Sequence, residues 1–589
     1  MTANDETPTT EAESGTERLS RADYDDGRDR SSTDESSARI PLERRDYLRS
    51  IGVAGALGSL GSLSGATGGV AAQDQDGDWE AAADERIQEH RTGDLEVVVE
   101  DENGNPISGA DVHVELQEHD FGFGTAVNAG TLVNESSEGD EYREYIPELF
   151  NKAVLENQHK WRFWEDDTQL ADDATDWLLD RGLDVRGHVC IWGATQHNAV
   201  PADVETAIDN NDAETIRQRT MDHIEEVITH YGDDIEEWEV VNEVLHEHAL
   251  VEGVYGDQVD LDEPWAGEVV PWRSEILADW YLKAQEVADQ EGVDIAVNDF
   301  NTLGGQWDYT RDWYPEQIEF LLDNGVDLDG IGFQSHIAAH DAPVGGNDDP
   351  DERMSYEQIN EILDEYADYG AGLRITEFDT FGGDDWSGDE EKAEVLYTYL
   401  KTAFSHPAVD DFLMWGFWDG RHWEDDAPLF DQNWNPKPAY DVWTDLVFEE
   451  WWTEESGQAD TSGTYTTPAF LGEYEITVTT DEGSTTTTID VTDADGTTTV
   501  DVTADGDGNG NGDPNGDGPP EIDGYQPADT TGDGLYNDIT GSGSTTTTDV
   551  NVFFENIDNP DVADYPQYYD FDGNGQVSVT DVVELFESI

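Results

Sequence analysis

The chain has little positive charge, almost no cysteine and no long apolar runs. Its 589 residues carry 27 Lys plus Arg against 138 Asp plus Glu, a formal charge of −111. A surface this negative excludes holding nucleic acid or an anionic membrane by charge. The single cysteine, Cys190, excludes an intramolecular disulfide and any zinc site built on cysteines. No stretch offers the ~20 consecutive apolar residues of a transmembrane anchor. There is still enough apolar mass for a large core: 36% of residues are hydrophobic, with 19 Trp, 22 Tyr and 19 Phe. The length suggests roughly two to four domains. The acid is spread along the whole chain, not gathered in one tail. In molar salt, where the Debye length is about 3 Å, such self-repulsion is screened, so the composition points to a halophilic protein.

Composition changes mark the segments. Residues 1–43 are polar, charged and nearly free of large apolar side chains, so no packed structure is expected there. Arg44-Arg45 then precedes a weakly apolar, Gly/Ser/Ala-rich stretch that runs to Val70-Ala71-Ala72. Residues 1–72 thus resemble a disordered N-region followed by a twin-arginine export signal, which implies a secreted protein. Residues 93–118 alternate around a turn at Asn103–Pro106 and read as a β-hairpin. Residues 460–504 are Thr-rich with period two and read as a small all-β appendage. Residues 505–522 are an acidic Gly/Asp/Pro linker, and 523–589 a separate module.

Between about 120 and 452, short apolar runs alternate with amphipathic stretches. Strands are expected at Leu183–Cys190, Ile235–Val241, Asp294–Val297, Gly330–Phe333, Leu373–Thr376 and Phe412–Trp415. Helices are expected at Ala213–Tyr231, Ser274–Glu291 and Tyr356–Tyr369. This repetition predicts an α/β fold of the (β/α)8 TIM barrel type. A doubly wound sheet would usually carry a Gly-rich phosphate loop after its first strand, and none is visible. Reactive groups of such a barrel sit just past the C-terminal strand ends. Glu243, after Trp238–Asn242, and Glu377, after Leu373–Thr376, both occupy that position. Two carboxylates on one barrel mouth can protonate a leaving oxygen and attack an anomeric carbon.

An ordered set of motifs spans residues 93–452. Phe121–Val127, Glu156-Asn157-Gln158-His159-Lys160-Trp161, Gly187-His188 with Trp192, and Trp238–Glu243 come first. Asn298-Asp299-Phe300-Asn301, Gln334-Ser335-His336, Ile375–Asp379, Trp415–Asp419 and Pro436–Tyr440 follow. The set resembles glycoside hydrolase family 10, the endo-β-1,4-xylanases. The resemblance implies that Glu377 is the nucleophile and Glu243 the acid/base, about 5–5.5 Å apart as a retaining pair. It implies that His336 orients Glu377 and that Asn242 holds the sugar 2-hydroxyl. Glu156, Asn157, Lys160, His188 and Gln334 would bind sugar hydroxyls, and Trp192, Trp415 and Trp423 would face pyranose rings. Trp161, Trp238 and Trp272 are assigned to the core, as is Cys190. Phe300 stands where the family usually has Tyr, which removes one hydroxyl. No cofactor is implied for catalysis. The implied partner is xylan; another β-1,4-glycan such as cellulose or mixed-linkage glucan, or a non-catalytic glycan-binding surface protein, are the alternatives.

In the last segment, Asp570, Asp572 and Asn574 occupy positions 1, 3 and 5 of a calcium-loop pattern, with Gly575 at 6, Gln576 at 7 and Asp581 at 12. A weaker copy begins at Asp538, and both end Asp-Val-x-x-Phe/Leu-Phe. The pair resembles a type I dockerin. That implies bound calcium and leaves open docking to a cohesin-like or cell-surface protein, or plain stabilisation by the ion.

Overall fold

The structure, a computed structural model, describes residues 79–503 apart from 102–103, 305–308, 339–353, 383–385, 481–482 and 495, and scattered positions between 522 and 586. Its first two strands are β1 (Thr92–Glu100) and β2 (Asp111–His119). Next come β3 (Gly122–Val127), β4 (Lys152–Leu155), β5 (Asp184–Gly187), β6 (Ile191–Trp192), β7 (Glu237–Asn242) and β8 (Asp294–Asp299). They are followed by β9 (Gly330–Phe333), β10 (His336–Ala338), β11 (Gly372–Phe381) and β12 (Val409–Met414). Eight of these, β3, β4, β5, β7, β8, β9, β11 and β12, pair in parallel in that order, and β12 closes the ring on β3. Every residue of β3, β4, β7 and β9 is buried, as a parallel sheet covered on both faces requires. All six strands expected from the apolar runs are present. The three helices expected from the sequence begin where side chains can satisfy free N–H groups. Asp212 caps Ala213–Tyr231, Ser274 caps Glu275–Glu291, and Ser355 with Gln358 forms a capping box on Tyr356–Ala367.

The N-terminal half of the barrel is filled by charge. Lys152 reaches Asp411 at 2.8 Å and Glu236 at 2.6 Å. Arg186 pairs with Glu237 at 3.0 Å and with Glu239, and Arg374 reaches Glu237 at 3.0 Å and Asp411 at 3.4 Å. Glycines on two strands leave room for these carboxylates. A Cβ at Gly330 would lie 2.1 Å from Glu237 Oε2, and one at Gly122 would lie 2.1 Å from Asp411 Oδ1. Removing one member of such a buried pair costs about 3–5 kcal/mol, because its partner stays charged and dry.

The two N-terminal strands do not form the expected hairpin. β1 lies between β14 (Thr464–Phe470) and β17 (Thr497–Thr503). β2 lies in another sheet, between β13 (Glu454–Gln458) and β15 (Gly472–Thr480), with β16 (Gly483–Val491) outermost. Residues 460–504 are all-β, as expected, and their strands complete two sheets begun by residues 92–119. Leu95, Val97 and Val99 of one sheet and Val112, Val114, Tyr474 and Ile476 of the other are buried in one continuous core with the barrel. Period-two alternation reports that one face of a strand is buried, not which strand it bonds.

A helix, Trp79–His90, precedes β1 and lies against the barrel wall, where Trp79 stacks on Tyr356 at 5.3 Å. Beyond the linker, Ile522, Ile539, Val550, Phe553, Val562, Tyr569, Val582 and Leu585 gather in a small core of their own. Val550 and Val582, like Phe553 and Leu585, hold equivalent places in the two repeats. Asp570, Asp572, Asn574, Gln576 and Asp581 lie outside the described residues, as do residues 1–78.

Candidate active site

The C-terminal ends of the barrel strands bring together all twelve residues singled out in the barrel. Glu243 leaves β7 with a φ of 56°, a left-handed conformation that costs a non-glycine residue of order 1 kcal/mol or more. The turn is held on both sides. Glu243 N–H donates to Asn298 O at 3.1 Å, and Glu243 O accepts from His246 and Glu247 at 2.9 and 2.7 Å. Its carboxylate accepts from Trp192 Nε1 at 2.9 Å and Gln334 Nε2 at 3.0 Å. Burial, and next the negative charge of Glu377, push its carboxyl up to about 7.

Glu377, in the middle of β11, is buried. Asn298 Nδ2 donates to Glu377 Oε1 at 2.8 Å, to Glu239 Oε2 at 3.1 Å and to Asn242 Oδ1 at 3.2 Å, while Thr376 Oγ1 donates to Asn298 Oδ1 at 2.8 Å. Gln334 Nε2 also donates to Asn242 Oδ1, at 3.1 Å. Two amides therefore join Glu243, Asn242 and Glu377 into one network. On the other side of Glu377, His336 Nε2 lies 3.3 Å from Oε2, and His336 Nδ1 lies 3.0 Å from Asp379. Burial alone would lower His336, but Asp379 and Glu377 outweigh it and raise it to about 10. The imidazole is therefore cationic at neutral pH. Asp379 is held low despite its burial by His336 and His422, and it accepts from Trp423 Nε1 at 2.6 Å.

Lys160, Asn157, Glu156 and His188 form the wall beside Glu377. Lys160 Nζ donates to Asn157 Oδ1 at 3.1 Å and lies 4.7 Å from the Trp192 ring centre and 5.7 Å from that of Trp415. Burial lowers its pKa, opposed by Glu156, Glu377 and Glu243. Glu156 accepts from Asn128 at 3.0 Å. His188 contacts Glu239 at 2.9 Å and meets Trp415 edge-on at 5.1 Å. Trp423 stands half exposed against His336. Trp161, Trp238, Trp272 and Cys190 are buried, as assigned. Metal-ligating atoms of His188, Glu239 and Glu377 lie within 4.8 Å of one another, and Arg186, Asn298 and His336 already engage the two carboxylates.

The model of "Glycosyl hydrolase family 10" matches residues 114–446, more than half of the chain. The chain belongs to glycosyl hydrolase family 10. Among relatives of this family 10 chain, anti-sigma-I factor RsgI6 of Acetivibrio thermocellus is 29% identical, over 68% of the chain and 47% of that protein. Endo-1,4-beta-xylanase 1 of Arabidopsis thaliana is 24% identical over 65% of the chain and 36% of its own length. Endo-1,4-beta-xylanase B of Thermotoga neapolitana is 26% identical over 56% of the chain and 89% of its own length. The chain thus spans less than half the length of the first two. Xylanase 10B from Thermotoga petrophila, solved with xylobiose, is 23% identical with a TM-score of 0.44, covering 56% of this chain and 95% of that one.

Four residues of the family 10 site were not singled out as site residues from the sequence: Asn298, Glu239, Asp379 and His422. Asn298 and Asp379 lie inside quoted motifs, and Glu239 sits inside Trp238–Glu243, so their strand positions were available. What the sequence could not show is that one amide spans three strands. His422 carries no local signal beyond its place beside Trp423.

Proposed function

We propose that the protein is a retaining endo-β-1,4-xylanase that works by double displacement. One observation carries the reading. A carboxyl raised to about 7 stands in the same network as a buried carboxylate fixed by an amide and a cationic imidazole. A carboxyl whose ionisation is disfavoured, held beside a second carboxyl group, suits the acid of an acid–nucleophile pair. Glu377 attacks the anomeric carbon while Glu243 passes its proton to the departing glycosidic oxygen, and the C–O bond breaks. Glu243, now a carboxylate, takes a proton from water, and the resulting hydroxide frees the sugar from Glu377. Asn242 has its carbonyl oxygen engaged by two amides, so its NH2 is the end turned to a sugar hydroxyl. Lys160, Asn157, Glu156 and His188 bind the glycone side, and Trp415 and Trp192 supply apolar faces. The names of two of the three relatives support xylan as the substrate.

The wider reading is of a secreted, salt-adapted enzyme exported through its twin-arginine segment. Its C-terminal module binds calcium through Asp570, Asp572, Asn574, Gln576 and Asp581 and attaches the enzyme to a cohesin-like or surface partner. The charge of −111 and the duplicated Asp-Val-x-x-Phe/Leu-Phe ends support these two parts. Reducing-sugar release from xylan, barley glucan and carboxymethyl cellulose in multimolar salt tests the function. Release from xylan alone is expected. Release from the glucans points to another β-1,4-glycanase, and release from none points to a non-catalytic glycan-binding protein.

A further inference from the structure

The loop after β6 is short and pinned at both ends. Gly193 and Ala194 are buried on one side of it, and Ala199 and Val200 on the other. Between them Thr195–His197 make a single 3-10 turn, closed by N–H bonds from His197 to Ala194 O at 3.1 Å and from Asn198 to Thr195 O at 3.2 Å. Asn198 leaves the turn at a φ of 55°, in the left-handed region that asparagine enters more readily than most residues. The loop also packs closely on the loop after β7, which begins at Glu243. A Cβ on Gly193 would stand 2.9 Å from Glu247 O, and Gln196 Nε2 donates to Glu247 Oε1 at 2.6 Å. This turn delivers His197 onto Trp192. The two ring centres are 5.4 Å apart, and the planes lie within 6° of parallel. His197 is exposed, and its ring makes no hydrogen bond or ion pair among the described residues, so the stack is what places it. Trp192 is itself only partly buried, so core packing alone does not fix its indole.

Resting on the glycanase reading above, we propose that His197 is a positioning residue for proton transfer: stacked on Trp192, it holds the indole N–H against the acid Glu243. Trp192 Nε1 donates to Glu243 Oε2 at 2.9 Å, and Gln334 to Oε1 at 3.0 Å; these are the two side-chain donors to that carboxylate among the described residues. As the proton passes from Glu243 to the glycosidic oxygen, negative charge develops on the carboxylate. A donor already in place meets that charge at no cost of reorganisation, and its bond strengthens as the charge grows. An indole free to swing away would leave Oε2 unmet at that moment. His197 acts only through the indole, so its effect is confined to steps in which Glu243 gives or takes a proton. Gln196, by tying the turn to Glu247, keeps the stack in register with the acid.

The test measures His197→Ala on polymeric xylan and on an aryl xylobioside whose leaving group departs unaided. On xylan, kcat/KM is expected to fall about fivefold, within the worth of one aromatic stack, and the loss should appear in kcat with KM unchanged. On the aryl substrate, whose glycosylation step needs no acid, kcat/KM should stay at the native value. His197→Phe, which keeps the flat ring and drops both nitrogens, should restore the rate on xylan. An unchanged rate on xylan, equal losses on both substrates, a loss carried by KM, or no rescue by His197→Phe overturns the inference while the glycanase reading stands. Native protein inactive on both substrates overturns the glycanase reading itself, and this inference with it.

Discussion

The proton on Glu243 sets the most specific expectation. Burial and the charge of Glu377 move this carboxyl from 4.5 to about 7, which disfavours its ionised form by roughly 3 kcal/mol. A general acid works only while protonated. The sign is therefore fixed: kcat/KM on xylan holds through weakly acid pH and falls about tenfold per pH step above 7. The limb can also be moved. Gln334 Nε2 donates to Glu243 Oε1 at 3.0 Å, a bond that favours the carboxylate. Hydrogen bonds to charged groups contribute about 1.5–3 kcal/mol, so Gln334→Leu should move the alkaline limb up by about 1–2 pH steps. The absolute rate should fall too, since Gln334 also holds Asn242, so the readout is the position of the limb at constant salt. Aryl xylosides whose leaving groups depart unaided should lose the limb in the glycosylation step. A limb that stays in place in Gln334→Leu, or moves down, would refute the claim that Glu243 is the titrating acid.

Glu377→Gln should abolish turnover while the protein is still retarded on a xylan affinity gel; residual turnover above background would remove Glu377 from the nucleophile role. Transfer from multimolar to dilute salt should unfold the chain through self-repulsion, and a melting temperature indifferent to salt would contradict the salt-adapted reading. Glu148 is buried with Oε1 unbonded, and burial first, then Glu144, raises it to about 8. Folding therefore binds a proton there. The contribution is complete below the unfolded value of about 4.3 and is lost as pH rises through about 8. Glu148→Gln should gain on the native protein by a few degrees in Tm between pH 5 and 9; a difference that does not change with pH would contradict this.

How far the residues alone lead depends on how local each signal is. The six strands read from apolar runs carry their own burial on both faces, so they were visible. β4 was not, because its four residues begin with Lys152, and a lysine reads as exposed until Asp411 is placed 2.8 Å away from a strand some 260 residues on. β1 and β2 showed their buried faces but not their partners, which come from beyond residue 454. At the site, strand-end positions pointed to Glu243 and Glu377, and the motifs to the wall of hydroxyl-binding groups. The three-way reach of Asn298 depends on distances across the barrel that no spacing along the chain encodes. One compositional signal proved more specific than any periodicity. In a chain with six lysines, a solvated surface has no use for them, so each one kept should sit where a cation is needed. Lys152, Lys160, Lys392 and Lys401 are buried, Lys437 reaches Asp419 at 2.7 Å, and Lys160 alone of these stands among the proposed catalytic carboxylates. Lys283 is the exception, only partly buried and paired with the exposed Glu225; where one residue type is strongly depleted, most of its survivors still mark the interior and the site.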